Sequence, residues 1–193
     1  MKERILMLVF VLVLGGILTS ALVIVDDFTK PMIEKNEAIR LQSSVLDSLA
    51  VTYEPADVES TFAANVEELV RGERTYYRAK DGRLALPYEG SGLWGPIIGI
   101  LAMDSALTKI TGLTIMQQEE TPGLGSRIAD QEYLDKFLAK AMSKGLVLVQ
   151  PGRSRNDNEI DSISGATMSS RAFIDVLNNE YSSYASLLAG GGE

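Results

Sequence analysis

The sequence predicts an α+β domain carried on a single N-terminal transmembrane helix. Residues 5–25 form an uncharged apolar run. Further along the chain, apolar runs of strand length alternate with turn signals, and two or three segments show apolar residues at helical spacing. Because the strands include at least one hairpin, we expect a curved, largely antiparallel sheet that packs its helices on one side.

The N-terminal run is long enough to cross a bilayer once. It reads ILMLVFVLVLGGILTSALVIV, 21 residues without a charge, and a transmembrane helix needs about 20. Lys2 and Arg4 precede it, and Asp26 and Asp27 follow it. The positive-inside rule therefore predicts a single-pass protein of the cell membrane, with a cytoplasmic N-terminus and its domain on the periplasmic or outer face.

A cleaved signal peptide is the alternative interpretation of this run. Thr19, Ser20 and Ala21 are small residues of the kind found at a cleavage site. The chain stays apolar over residues 22–25, beyond such a cut, so an uncleaved anchor is favoured. The predicted division is an anchor over residues 1–28, a juxtamembrane helix or linker over 29–52 and a domain over 53–193.

A helix is predicted directly after the anchor. Pro31 suits a first helical position, and apolar residues then recur at helical spacing at Ala38, Leu41, Val45 and Leu49. This apolar stripe has to be buried, either against the domain or against another subunit. Both remain open.

The middle of the chain indicates strands. RTYYRAK and RLALPYE flank an Asp81-Gly82 turn signal, which predicts a hairpin whose second arm ends near Pro87. A glycine-rich loop over residues 90–96 follows. The apolar runs IIGILAM (97–103) and ITGLTIM (110–116) then read as antiparallel neighbours.

Two helices and a short strand are predicted in the last third. Apolar spacing indicates a helix over residues 131–142 and a strand over 146–149, followed by a polar loop. The terminal helix is expected to start near Ser169 and to end at the glycines of residues 190–192.

Composition excludes several classes of function. The chain carries 18 Lys and Arg against 26 Asp and Glu, a net charge of −8, which disfavours nucleic acid as a partner. It has neither Cys nor His. Disulfides, thiolate nucleophiles, iron–sulfur clusters and the commonest metal ligands are therefore absent. Redox chemistry would need a bound organic cofactor.

The stretch DSISGATMSS, residues 161–170, surrounds one threonine with small residues. Ser169 and Ser170 are expected to open the last helix, whose N–H groups and partial positive charge suit a phosphate. Gly165 would let that phosphate approach the backbone. The alternative is that Thr167 or Ser169 simply caps the helix. A serine hydrolase is excluded because no histidine exists to activate the hydroxyl, and the glycine-rich nucleotide motifs are missing.

Three segments together resemble a known family. DSISGAT followed by MSS is similar to the flavinylation motif of membrane-anchored FMN-binding domains. GLWGPIIGILAMD (92–104) and QEETPGLGSRI (118–128) resemble the same family. It includes the G subunit of the Rnf complex, an ion-pumping ferredoxin:NAD oxidoreductase, and the related C subunit of the sodium-pumping NADH:quinone oxidoreductase.

The resemblance implies a covalent cofactor site at the third segment. The hydroxyl of Thr167 would be esterified to the phosphate of FMN, and Asp161 would help present the motif to a flavin transferase. The residues that would surround the phosphate and the ribityl chain are Ser164, Gly165, Ala166, Ser169 and Ser170. No metal ligand and no catalytic residue is implied.

The other two segments would border the isoalloxazine ring. The resemblance implies a wall made by Glu119, Glu120, Thr121, Gly123 and Leu124, with Leu93, Trp94 and Gly95 nearby. From the residues alone, a solvated turn is the default for the two glutamates, and Trp94 is as well explained by core or interface packing.

The function implied is electron relay within an Rnf-type complex. Partners would be the other membrane and redox subunits, a flavin transferase for maturation and the lipid bilayer, with no nucleic acid. The compact length favours the Rnf protein over its counterpart in the sodium pump. A stand-alone flavin domain for extracytoplasmic electron transfer and a non-redox envelope scaffold remain alternatives.

Overall fold

The computed structural model describes residues 2–189 of the chain. The described residues divide into two compact units, residues 2–40 and residues 41–189. The first unit consists of most of helix α1, which runs over Lys2–Ser48. This is one helix long and apolar enough to cross a membrane, and its apolar segment is exposed to the surroundings.

The sequence predicted that a new helix begins at Pro31, and this prediction is wrong. Helix α1 continues through it. A proline inside a helix removes one N–H donor, and nearby Ser or Thr side chains can bond the carbonyls that are freed. The Thr29 hydroxyl donates to the carbonyls of Val25 at 2.9 Å and Asp26 at 3.3 Å. The carbonyl that Pro31 leaves without a helical donor is that of Asp27, four residues earlier, and the Thr29 hydroxyl bonds the two carbonyls before it.

The second unit contains the C-terminal end of α1 and the whole domain. Val45, Leu46 and Leu49 are fully buried there. The Thr114 hydroxyl donates to the Ser44 carbonyl at 3.4 Å. Of the two possibilities left open for the apolar stripe, burial in the chain's own domain is the one observed for its C-terminal residues.

The main sheet is five-stranded and antiparallel throughout, in the sequential order β1-β2-β3-β4-β5. This confirms the predicted α+β class with an antiparallel sheet. The strands are β1 Val66–Arg71, β2 Arg74–Ala79, β3 Leu84–Ser91, β4 Pro96–Met103 and β5 Ile110–Gln117.

Two details of the sheet differ from the prediction. Strand β3 does not end near Pro87 but runs on to Ser91. Beyond Ala85 it pairs only with β4, so the missing N–H of Pro87 breaks no ladder on the β2 side. Strand β1 was not predicted. It carries Glu67 and Glu68 on an edge strand, where charged residues weaken the apolar pattern.

The remaining elements are short apart from the last helix. Two three-residue strands, β6 Val147–Val149 and β7 Glu159–Asp161, pair in parallel. The helices are α2 Val58–Asn65, α3 Gln131–Leu134 and α4 Thr167–Ala189, with 3-10 turns at Pro55–Asp57, Gly125–Ala129 and Asp135–Phe137. The glycines of residues 190–192, predicted to end the last helix, lie outside the described residues.

The predicted helix over residues 131–142 is wrong beyond its first turns. Ala139 has a φ of 61°. Its N–H donates to the Ile110 carbonyl at 2.8 Å, and the Ile110 N–H donates to the Lys140 carbonyl at 3.0 Å. Pairing with the start of β5 thus replaces the helical hydrogen bonds that the local pattern predicted.

Helix α4 packs its apolar face on the sheet. Phe173 is fully buried, with its ring centroid 6.1 Å from that of Tyr88 on β3 and 5.5 Å from that of Phe137. Further along, Arg74 of β2 forms an ion pair with Glu180. These contacts fix the helix axis on the sheet and therefore fix where its first residue lies.

Phe173→Ala should destabilise the domain by about 3 to 5 kcal/mol, the range for deleting a buried aromatic ring. Urea unfolding, followed by far-UV circular dichroism, measures the change. The control is Asp175→Ala at an exposed position of the same helix, expected to stay within about 0.5 kcal/mol of the wild type. Equal midpoints for the two variants would contradict the packing of α4 described above.

Candidate functional site

The three segments that carry the family resemblance meet at one buried carboxylate. Glu120 lies in the loop after β5 and is only 3% exposed. Its Oε1 accepts the N–H of Leu93 at 2.6 Å and that of Trp94 at 3.3 Å, both in the loop between β3 and β4. Its Oε2 accepts the hydroxyl of Ser169 in the first turn of α4, at 2.6 Å. Residues distant in sequence are therefore joined directly.

The solvated-turn interpretation is wrong for Glu120 and holds for Glu119, which is exposed. Glycines provide the space that the carboxylate occupies. A Cβ at Gly92 would lie 2.5 Å from Glu120 Oε1, and one at Gly125 would lie 2.9 Å from Oε2. The glycine spacing in both loops was the signal in the sequence that could have indicated a close approach here.

Thr167 is the first residue of α4, two residues earlier than predicted. The first helical hydrogen bond runs from the Ser170 N–H to the Ala166 carbonyl at 2.9 Å. Within residues 2–189, the N–H groups of Thr167, Met168 and Ser169 have no acceptor, and the exposed Thr167 hydroxyl has no partner. Three amides and one hydroxyl are therefore available at one helix start.

The simple capping alternative does not match this arrangement. A capping side chain precedes the first helical turn and accepts one of its N–H groups. Ala166 occupies that position here, because its carbonyl accepts the first helical bond. Thr167 and Ser169 lie inside the helix, and the Ser169 hydroxyl is bonded to Glu120.

The small residues around Thr167 divide into two groups. Ser164 and Gly165 are exposed, and Gly165 has a φ of 83°, in the left-handed region that favours glycine. Ala166 and Ser170 are buried. The Ser170 hydroxyl donates to the Ala166 carbonyl at 3.0 Å and accepts the Ile163 N–H at 3.2 Å. The single proton of the Ser170 hydroxyl is used within the protein, so this side chain is not free to donate a hydrogen bond to a phosphate.

Large apolar side chains are exposed next to this helix start. Trp94 is 71% exposed, which excludes core packing for it. A Cβ at Gly165 would lie 3.8 Å from Leu124, so the second segment reaches the third at this point. The exposed apolar residues of the three segments are Leu93, Trp94, Leu124 and Met168. The sequence pattern predicted no separate role for Met168, which lies within the motif that follows Thr167.

The loop that carries Leu124 is held by its own backbone. The N–H groups of Leu124 and Ser126 both donate to the carbonyl of Thr121 at 3.1 Å. The N–H of Gly123 donates to the Ser126 hydroxyl at 3.0 Å. Thr121 and Gly123 thus shape the loop, while Gly95 closes the neighbouring loop by accepting the Gly92 N–H at 2.8 Å.

Asp161 ends β7 and holds the preceding loop. Its Oδ1 accepts the N–H groups of Arg153 and Ser154, each at 2.9 Å. A cavity of about 200 Å³ lies beside it, bordered also by Ser164, Arg127 and Tyr133. Burial raises the pKa of Tyr133 to about 12, so this hydroxyl stays protonated at neutral pH.

The comparison with known families identifies the domain. Residues 92–182 match the sequence profile of the FMN-binding domain. Over this segment, just under half of its length, the chain is similar to the FMN-binding domain family. The matched segment begins at the loop between β3 and β4 and reaches into α4, so it includes all three segments that meet at Glu120.

Relatives of the FMN-binding domain occur in two kinds of membrane complex. The chain is 29% identical over 150 residues to the C subunit of the Na⁺-translocating NADH-quinone reductase of Neisseria meningitidis serogroup B, covering 75% of this chain and 54% of that protein. The chain spans about half the length of the C-subunit relatives it matches.

Two other relatives match over almost their whole length. Identity is 27% to the G subunit of the Na⁺-translocating ferredoxin:NAD⁺ oxidoreductase complex of Acetobacterium woodii, with 91% of this chain and 88% of that one covered. Identity is 25% to the G subunit of the ion-translocating oxidoreductase complex of Methanosarcina acetivorans, with 92% and 93% covered.

Solved structures share the fold. The C subunit of the Na⁺-translocating NADH-quinone reductase from Parabacteroides distasonis superposes with a TM-score of 0.74 at 26% identity, covering 84% of this chain and 98% of that one. NqrC from Shewanella oneidensis gives 0.64 at 20% identity, covering 73% and 90%. The second likeness concerns the fold alone.

The exposure of Trp94 can be measured directly, because it is the one tryptophan of the chain. We expect its fluorescence to be quenched by acrylamide with a rate constant close to that of a small tryptophan amide in water. A Trp94→Phe variant is the control for residual tyrosine emission. A quenching constant several-fold lower would show that the side chain is buried and would contradict the site geometry.

Proposed function

We propose that the chain is the electron-transfer subunit of a membrane-bound, ion-translocating oxidoreductase complex of the Rnf type. It would relay electrons through an FMN bound covalently by a phosphoester to Thr167. One observation carries the proposal: an exposed, unpartnered threonine hydroxyl stands at the start of a long helix, beside three N–H groups without an acceptor.

The helix start fits a phosphate group. Esterified to Thr167, the phosphate would keep one negative charge, and a helix N-terminus stabilises such a charge by about 0.3 to 1 kcal/mol. The N–H groups of Thr167, Met168 and Ser169 could donate hydrogen bonds to its oxygens. Gly165 is exposed and has no side chain, so the phosphate could approach the backbone just before Thr167.

The neighbouring surface fits a flat aromatic ring. Binding sites for cofactors combine apolar walls with a few polar groups. Leu93 and Trp94 stand on one loop, Leu124 on the second and Met168 on the helix itself, all exposed. A ring tethered at Thr167 could remove part of this apolar area from water.

When bound, FMN supplies the transfer of electrons. The residues of this chain bind it, orient it and limit its contact with water. With neither Cys nor His in the sequence, the chain has no thiol and no imidazole to take part in redox or proton transfer at neutral pH. A covalent bond also keeps the cofactor at high effective concentration on the extracytoplasmic side, whatever the affinity of the pocket.

A flavin transferase is the proposed partner for maturation. Ser164, Gly165 and Thr167 are exposed and therefore reachable by another protein. Asp161 holds the loop of Arg153 and Ser154 beside this segment. We propose that it presents the attachment segment through that loop.

The Rnf-type assignment is favoured by the extent of the sequence match. The G-subunit relatives are covered over 88% and 93% of their own chains, whereas the C subunit of Neisseria meningitidis is covered over 54%. Other membrane and redox subunits of such a complex are the proposed partners, together with the bilayer around α1. The C subunit of a sodium-pumping NADH:quinone oxidoreductase is the second candidate, favoured by the structural likeness at a TM-score of 0.74.

Thr167→Ala, expressed together with a flavin transferase, should contain no covalent flavin. The wild type should gain the mass of one FMN less one water and fluoresce in a denaturing gel. Relative to the flavin-free wild type, the change should alter the free energy of unfolding by no more than about 0.5 kcal/mol, since the side chain is exposed. Thr52→Ala, at another exposed threonine of the second unit, is the matched control and should keep its flavin. Flavin retained by Thr167→Ala would refute the attachment site.

Single cysteines can test on which side of the membrane the domain lies, because the chain has none of its own. A membrane-impermeant thiol reagent should label Thr52→Cys in intact spheroplasts. It should label Glu3→Cys only after lysis, as expected from Lys2 and Arg4 before the apolar run. The opposite pattern would overturn the proposed orientation.

A further inference from the structure

We infer that Glu120 is a positioning residue for the flavin site. Its carboxylate holds the loop of residues 92–95 against the first turn of α4, so that the apolar ring surface and the attachment point form one unit. The inference rests on the proposed function for its effect on FMN. We call the hydrogen bonds from Leu93, Trp94 and Ser169 to the Glu120 carboxylate the clamp. The clamp is a property of the chain alone and can be tested without FMN.

The two carboxylate oxygens serve two different elements. Oε1 accepts the N–H groups of Leu93 and Trp94, 27 and 26 residues away in sequence. Oε2 accepts the hydroxyl of Ser169, 49 residues away. No other side chain described in residues 2–189 bonds both the loop and α4.

The backbone on both sides of Glu120 is restrained by hydrogen bonds. Its own N–H donates to the Gln118 side chain at 2.7 Å, and it lies directly before the turn in which Thr121 accepts two N–H groups. The carboxylate therefore extends from a backbone fixed on both sides. A positioning group transmits geometry only if its own rotamer is restrained in this way.

Stability alone does not explain a carboxylate at this place. Burying one costs free energy unless its oxygens are satisfied, and an apolar replacement of similar volume is often as stable or more so. Within residues 2–189, Glu120 forms no ion pair with Lys or Arg. It is satisfied by two backbone amides and one hydroxyl, all belonging to segments that border the flavin site. The group is suited to fixing those segments relative to each other.

The loop it holds carries the most exposed aromatic ring of the site. Between β3 and β4 the loop has one backbone bond of its own, from Gly92 to Gly95. Without the Glu120 carboxylate, the N–H groups of Leu93 and Trp94 would lose the acceptor that the protein gives them. The loop would also lose its link to the first turn of α4 through Ser169. A flavin tethered at Thr167 would then lose a defined neighbour.

The test uses the full-length chain in detergent, first without flavin and then loaded. Glu120→Ala should raise hydrogen exchange of the amides in residues 92–95 by about tenfold, as expected for losing one charge-assisted hydrogen bond. Glu120→Gln should keep most of the protection. Its Oε1 can still accept both N–H groups, and its amide nitrogen can donate to the Ser169 hydroxyl. Glu119→Ala, at the exposed neighbouring carboxylate, is the matched control and should behave like the wild type.

In the loaded chain, Glu120→Ala should lower the fluorescence anisotropy of the flavin and shift its reduction potential toward that of free FMN. Glu120→Gln should restore both. A residue needed only for stability would lower the melting temperature without moving either readout once the protein is folded. Unchanged exchange in residues 92–95 of Glu120→Ala, or faster exchange with unchanged anisotropy and potential, would overturn the inference.

A second variant keeps the test decisive if Glu120→Ala does not fold. Ser169→Ala removes only the bond to Oε2. It should raise exchange of the Ser170 amide, which bonds the Ala166 carbonyl at the start of α4, and reduce flavin anisotropy by a smaller amount than Glu120→Ala. No change in either would count against the clamp. Absence of covalent flavin in the wild type would instead refute the proposed function, while the exchange measurement without flavin would still decide whether Glu120 holds the loop.

Discussion

The site depends on the burial of one face of α4 against the antiparallel sheet. Phe173 between Tyr88 and Phe137 leaves the helix little freedom to slide or rotate, because interior packing tolerates few voids. Because the first turn belongs to the same helix as Phe173, its position is restrained as well. Thr167 therefore stands at a fixed point although the residues before it form a loop. A cofactor joined to this threonine would be anchored to the core through the helix that carries the fully buried Phe173.

Local pattern was sufficient wherever a segment buries one continuous apolar face. Strands β4 and β5 and the terminal helix were predicted from such faces, and the hairpin of β2 and β3 from its turn residues. Pattern failed where distant partners decide the conformation. The segment after Phe137 has helical spacing, yet the carbonyl of Ile110 competes for its N–H groups. β7 is too short to stand out from a polar loop and exists because β6 lies beside it.

The segment proposed for attachment was singled out from the sequence, whereas the burial of Glu120 was not. Glu119 and Glu120 are adjacent in a glycine-rich loop, and nothing in the local sequence distinguishes them. Only the fold reveals that one is exposed and the other is enclosed by three segments that are far apart along the chain. Its burial depends on glycines at positions 92 and 125, whose missing side chains leave the space. Such mutual dependence between distant residues cannot be read from the local pattern of either loop.

The uncapped start of α4 has a thermodynamic consequence. A missing side-chain cap typically leaves a helix about 1 kcal/mol less stable than a capped one. A phosphate ester on Thr167 would supply the absent acceptor and act as a permanent cap, so the reaction that installs the cofactor would also complete the helix. Maturation and folding would then be linked equilibria. Chains that miss the modification would be the ones most easily opened at this end and most accessible to proteases.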